Sequence, residues 1–255
     1  MSNAYSLSRA LNQSKQASRE KIADAIMKSE SAKKFIHHLG GQHPSTPFED
    51  CFPNNQDMVW ARFERKRNTP LPNRYRRLSL PNPAIYFYDK PKLPTRNELG
   101  YFVNAKMLDR SSALAELFPE YTHYFWYDLC GAPTKETLEE LSDRILWLID
   151  TDSDQPLNIP PKNAEFFITF YMNHRGRQSI RDIIGDGTLE EKAIKVRDYF
   201  NSDGAFDDNG VWQAGSYNTA TCEVLDTYIN GVAPMAVFRI FNQKPRRYLP
   251  SSETV

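Results

Sequence analysis

The sequence predicts an α/β fold: a mostly parallel sheet that ends in an antiparallel hairpin, preceded by a helical and irregular N-terminal extension. Three observations carry this. Two nearly continuous apolar runs, Tyr121–Tyr127 and Glu165–Tyr171, flank a helical pattern. Apolar strands joined by a helical crossover read as parallel neighbours buried on both faces. Two later apolar runs, Cys222–Ile229 and Pro234–Phe241, bracket Asn230-Gly231, a strong hairpin signal, although the loop reads as longer than two residues. Finally, 255 residues with 40% hydrophobic and 25% charged side chains are ordinary for a soluble globular chain.

Taken in order, residues 1–83 read as a helical and irregular basic extension, 84–249 as the α/β domain and 250–255 as a flexible tail. Ile22, Ala25, Ile26, Ala32, Phe35 and Ile36 recur at helical spacing in a serine-rich segment, and Gly40-Gly41 ends that helix. His37, His38 and His43 cluster there. Adjacent histidines on a helix point to different sides and chelate poorly, so no metal site is expected. From Gln42 to Pro83 the chain is proline-rich and irregular. Within it Arg62, Arg65, Lys66, Arg67, Arg74, Arg76 and Arg77 face one acid, Glu64, with Trp60, Phe63 and Tyr75 interleaved. Arginine with aromatic residues is the chemistry of phosphate neutralisation and base stacking, so this run is the candidate contact for RNA or DNA. The plainer reading is a solvated loop that pairs with the acidic segment 136–154.

Asn82–Asp89 reads as a short strand ending in an acid, and Thr95–Glu98 as a helix-start box. Phe102–Leu108 fits a strand or part of a helix. Asp109–Phe118 reads as a short helix capped by Asp109 and limited by Pro119. Thr134–Ile149 is the clearest helix, capped by Thr134, with Leu138, Leu141, Ile145 and Leu148 on one side. Leu189–Phe200 is another helix, with Lys192, Lys195 and Arg197 exposed between Ile194, Val196 and Phe200; Gly185-Asp-Gly187 is the turn into it.

The totals exclude several classes. Thirty-two basic and 32 acidic residues cancel, so an electrostatic partner must be read from local patches. Cys51, Cys130 and Cys222 are too few and too scattered for a disulfide framework or a zinc ribbon. No apolar run approaches the roughly 18 residues of a membrane span, and residues 1–9 lack a signal core. The expected location is the reducing cytoplasm, with no membrane partner. There is no P-loop, paired-carboxylate motif or Ser-His-Asp arrangement.

The order from 121 to 241 is strand, helix, strand, helix, strand, turn, strand. With it come Tyr127-Asp-Leu-Cys-Gly-Ala-Pro133, the strand Phe167–Tyr171 followed by Asn173-His-Arg175, and the turn Tyr228-Ile-Asn-Gly-Val-Ala-Pro-Met235. These resemble the second half of the class I S-adenosylmethionine-dependent methyltransferases, a Rossmann-like fold. Similar turns occur in divergent methyltransferase-like proteins of viruses, phages and archaea. The resemblance covers about half the chain. It implies that Asp128, at a strand-four loop, faces substrate and cofactor, with Leu129 and Gly131 beside the cofactor. It implies Asp89 or Asp109 as the acid that holds the ribose hydroxyls. The family's glycine-rich turn after the first strand has no counterpart between residues 42 and 130, where Gly100 is the only glycine.

Ligands of open α/β sheets sit past the carboxyl ends of the strands. That places Asp128 and His174 as candidate catalytic residues and Arg175 as a nucleic-acid contact. Asp128 also reads as a helix cap, Cys130 as a small packing residue and His174 as a solvated strand end. The leading expectation is methyl transfer from S-adenosylmethionine to nucleic acid. The competing ones are a catalytically inactive nucleic-acid-binding protein on the same sheet and a viral or mobile-element protein that holds a partner through its N-terminal helix.

Overall fold

The computed structural model describes residues 13–39, 48–52, 58–64, 75–78, 84–88, 115, 118–129, 131–149, 164–201, 205–206, 212–213 and 220–242. The strands are β1 (Lys34–Leu39), β2 (Met58–Glu64), β3 (Tyr75–Leu78), β4 (Ala84–Tyr88), β5 (Thr122–Asp128), β6 (Ala164–Tyr171), β7 (Ala205–Phe206), β8 (Trp212–Gln213), β9 (Ala220–Asn230) and β10 (Ala233–Asn242). The described helices are α1 (Gln13–Met27), α2 (Lys135–Ile149), α3 (Gln178–Ile184) and α4 (Leu189–Asn201), with a 3-10 turn at Phe48–Cys51.

Eight strands form one sheet in the order β3-β4-β2-β1-β5-β6-β10-β9, and β7 and β8 pair separately. The inner four, β2, β1, β5 and β6, are mutually parallel. β4 runs antiparallel to β2 and β3 antiparallel to β4, while β10 is antiparallel to both β6 and β9. The sheet is therefore mixed rather than mostly parallel: a parallel centre with antiparallel pairs at both margins.

The largest departure from the sequence reading is at β1. Residues 34–39 form a strand at the centre of the sheet, between β2 and β5, and not the end of a helix. All six of its residues are buried. A six-residue strand covered on both faces shows no alternation, and its apolar positions happen to continue the helical spacing of α1. α1 itself stops at Met27. Because β1, β2 and β3 all precede residue 84, the expected boundary at 83 falls inside one sheet.

Helices cover both faces. One face of the sheet, with Phe35, Leu39, Phe63, Phe125, Tyr127, Phe166, Ile168 and Phe170, packs against α2, α3 and α4. The other, with Ile36, Trp60, Trp126, Phe167, Met235 and Val237, packs under α1 through Ile22, Ala23 and Ile26. α2 starts as expected: Thr137 N–H donates to Thr134 Oγ1 at 3.2 Å. In α4, Ala193, Val196, Tyr199 and Phe200 are buried, whereas Ile194 faces solvent. The short helix α3 was not expected; its seven residues offer too little periodicity to read.

The closing hairpin is tighter than anticipated. Asn230 pairs with Ala233, which leaves a two-residue loop of Gly231 and Val232, with Gly231 at φ 67°. A glycine with positive φ at the first loop position suits a turn whose twist matches the flanking strands. The register shifts by one residue between Val237 and Phe238, so Leu225 on β9 has no opposite number. No described helix is long and apolar enough to cross a membrane.

Candidate functional site

The carboxyl ends of β1, β2, β5 and β6 lie along one edge of the sheet, and Asp128 is the last residue of β5. Its side chain turns to the α1 face and is 1% exposed. Lys15, in the first turns of α1, donates to Asp128 Oδ2 at 2.9 Å. Around this ion pair the same face gathers Ser18 and Arg19 from α1, His38 from β1 and Arg62 from β2, all buried. α1 therefore has two halves. Ile22, Ala23 and Ile26 are ordinary apolar packing, whereas Lys15, Ser18 and Arg19, on the same stripe one and two turns earlier, carry polar groups into the sheet edge.

Electrostatics at this edge are strained by burial. Desolvation pulls the Arg19 guanidinium below its usual range, with Asp128 acting the other way. Desolvation, then the charges of Arg62, Arg19 and Lys15, hold His38 well below 6.5, so its imidazole is neutral. It stacks on Trp126 at 4.4 Å between ring centroids. Ser18 Oγ, His38 Nε2 and Trp60 Nε1 are buried and make no hydrogen bond among the described residues. Buried polar atoms in proteins are nearly always paired, so these three are exceptions on the Asp128 face, as His37 Nδ1 is on the opposite one.

The neighbouring loops form the rest of the edge. Tyr171 N–H donates to Gly131 O at 2.9 Å and ties the end of β6 to the loop after β5. Arg175 has φ 47°, rare for a residue with a side chain, and its N–H is held by Asn173 Oδ1 at 3.0 Å. Its guanidinium lies over the Tyr171 ring, 4.7 Å from the centroid. His174 Nδ1 accepts from Gly176 N–H at 3.0 Å, which leaves Nε2 as the other ring nitrogen, 3.7 Å from Asp186 Oδ1. Gly131, Ala132, Tyr171, Asn173, His174 and Arg175, with Arg177 and Ile180, line a pocket of about 210 Å3. A larger groove, about 700 Å3, runs beside the middle of β9 and against α4 and holds none of these residues.

The expected site residues thus fall into groups. Asp128, Leu129, Gly131, His174 and Arg175 follow the ends of two adjacent parallel strands, β5 and β6. Gly131, His174 and Arg175 share the pocket, while Asp128 is turned under α1. Arg62 is buried at 1% exposure and lies beside Asp128's cluster, not on a solvent-facing basic run. Arg76 and Arg77 belong to β3, the edge strand of the sheet. Arg65, Lys66, Arg67, Arg74, Asp89, Asp109 and Cys130 lie outside the described residues. β4 starts beside Glu64 at the carboxyl edge and runs away from it to Tyr88, so the strand that precedes Asp89 points away from the site. Sequence reasoning missed Lys15, Ser18 and Arg19, and read His38 only as part of a helical histidine cluster. Their one signal is that Lys15, Ser18, Arg19, Ile22 and Ile26 recur at three and four residues, a stripe that begins polar and ends apolar.

A second polar pair lies on the opposite face. His37 Nε2 and His123 Nδ1 are 2.8 Å apart, and His123 Nε2 is 2.9 Å from Phe118 O. A carbonyl only accepts, so His123 carries its proton on Nε2, and His37 Nε2 donates to His123 Nδ1. Burial drives both rings toward the neutral form, His37 well below 6.5 and His123 to about 4. Among the described residues no group of His, Cys, Asp or Glu could hold a metal ion.

Comparison with known proteins finds no match: no protein-family model, no curated protein and no solved structure matches this chain.

Proposed function

We propose that the chain is a methyltransferase-like enzyme that transfers a methyl group from S-adenosylmethionine to nucleic acid. The observation that carries this reading is the sheet itself. Parallel strands β2, β1, β5 and β6 are completed by a hairpin whose second strand, β10, inserts antiparallel between β6 and β9. This order supports the reading because it resembles the hairpin-terminated sheet of the class I methyltransferases, and Asp128 ends a strand where that family has an acid.

Two further positions in the sequence support the reading. With β1 as the first strand, Gly40-Gly41 directly follows it in the sequence, the position of the family's glycine turn. With β2 read as the second, its last residue, Glu64, is our candidate for the ribose-binding acid in place of Asp89 or Asp109. The unsatisfied Ser18 Oγ, His38 Nε2 and Trp60 Nε1 supply polar partners on the Asp128 face, which fits a ligand rich in carboxylate, amine and hydroxyl groups.

S-adenosylmethionine, when bound, supplies an electrophilic methyl group on a sulfonium. The chain's residues do the remaining work. Asp128 acts as a positioning residue: Lys15 fixes its carboxylate under α1, which holds the end of β5 and the loop to Gly131 that lines the acceptor pocket. Arg175 and His174, at the adjoining pocket, hold the acceptor strand. The test is transfer of radiolabelled methyl to RNA and DNA oligonucleotides by the wild-type chain and by Asp128→Asn. Label transfer that drops by about a hundredfold or more in the variant is expected for loss of an orienting group. Equal transfer by both would remove Asp128 from the mechanism.

A further inference from the structure

The tip of the β9–β10 hairpin is apolar and exposed, and it stands at the ligand edge. Met235 pairs with Tyr171, the last residue of β6, and Met172 N–H donates to Pro234 O at 2.8 Å. Residues 230–233 therefore project past the end of β6, on the side from which the loop with His174, Arg175 and Arg177 emerges. Val232 is 84% exposed and Ile229 50%. A two-residue hairpin loop is ordinarily filled by Gly, Asn, Asp or Ser. Gly231 meets that demand, but Val232 puts a β-branched apolar side chain into water where a polar one would serve.

The surroundings identify what such a tip would meet. Two arginines and a histidine line the adjoining pocket, and one of the arginines is stacked on Tyr171. A cationic rim with an apolar projection complements a polyanion that has apolar interior faces, which is a stacked nucleic acid. The pocket is about 210 Å3, below the range of drug-sized sites, and so admits a single ring system rather than a base pair. Chemistry on a base inside a duplex needs that base extruded, and apolar wedges that enter the stack lower the cost.

We infer that Val232 and Ile229 form a wedge that opens the base stack at the rim and delivers one nucleotide to the pocket lined by Tyr171, His174 and Arg175. The inference rests on the proposed nucleic-acid substrate and adds how that substrate is opened. It assigns the hairpin tip a role in duplex distortion separate from affinity, which the arginines supply.

The experiment uses the full chain and a duplex oligonucleotide that carries one 2-aminopurine, whose fluorescence rises on unstacking. Binding is followed in parallel by anisotropy of an end label. The wild type should bind and brighten the 2-aminopurine. The Ile229→Thr/Val232→Asn variant alters only exposed side chains. It should keep its fold by circular dichroism and bind within about twofold, yet brighten the probe about tenfold less. Equal brightening by the variant, or wild-type binding with no brightening, overturns the wedge while the nucleic-acid reading stands. Absence of any wild-type binding at low salt overturns both.

Discussion

Lys15 and Asp128 are the residues on which the site turns, and their burial makes a sharp prediction. The ion pair is nearly solvent-free, so removal of one partner strands a buried charge. Lys15→Met should destabilise the chain by about 3 kcal/mol in urea unfolding, and Lys15→Met/Asp128→Leu should regain much of that. A loss in the double variant equal to the sum of the losses in Lys15→Met and Asp128→Leu would mean that the pair carries no coupling. The histidines of the other face predict a pH dependence. His123 is held to about 4, below its ordinary value of about 6.5 when unfolded. Between those values the unfolded chain binds more protons than the folded one, so stability is full above about pH 6.5 and is lost as pH falls toward 4, by about 3 kcal/mol for this residue. In His123→Gln the slope of stability against pH over that window should flatten. An unchanged slope would place the acid sensitivity elsewhere.

At the scale of elements, legibility followed the physics of each segment. α2 was readable because its cap, Thr134, and its apolar stripe are both local signals. Thr134→Ala should cost about 1 kcal/mol of stability, measured by denaturant midpoint, and no measurable loss would mean that the cap is replaced by solvent. β5, β6 and the closing hairpin were readable from apolar runs bounded by turn residues. β1 was not, since full burial erases alternation and α1 lies just upstream in the same apparent register. That one misreading left β1 and β2 out of the sheet. With Lys34–Leu39 taken as helix, Gly40-Gly41 was read as a helix stop, whereas in the sequence it follows a central strand. The polar half of α1 was invisible for another reason. Lys15, Ser18 and Arg19 read as a solvated face in a sequence, and their burial follows only from where the sheet edge meets the helix.

The whole molecule brings the ends of four parallel strands to one edge, closes one margin with an inserted antiparallel strand, and lays α1 across the face that holds Asp128. The basic run of residues 62–77 divides across this architecture. Arg62 is drawn into the interior beside the Asp128 cluster, and Arg76 and Arg77 sit on β3 at the far margin. The central claim is that the edge of β1, β2 and β5 receives S-adenosylmethionine. Isothermal calorimetry with the wild-type chain and with Glu64→Gln tests it most directly. The account predicts saturable binding by the wild type and about tenfold weaker binding by the variant, the loss expected when one charged hydrogen-bonding partner is removed. No heat of binding by the wild type at millimolar cofactor would contradict it.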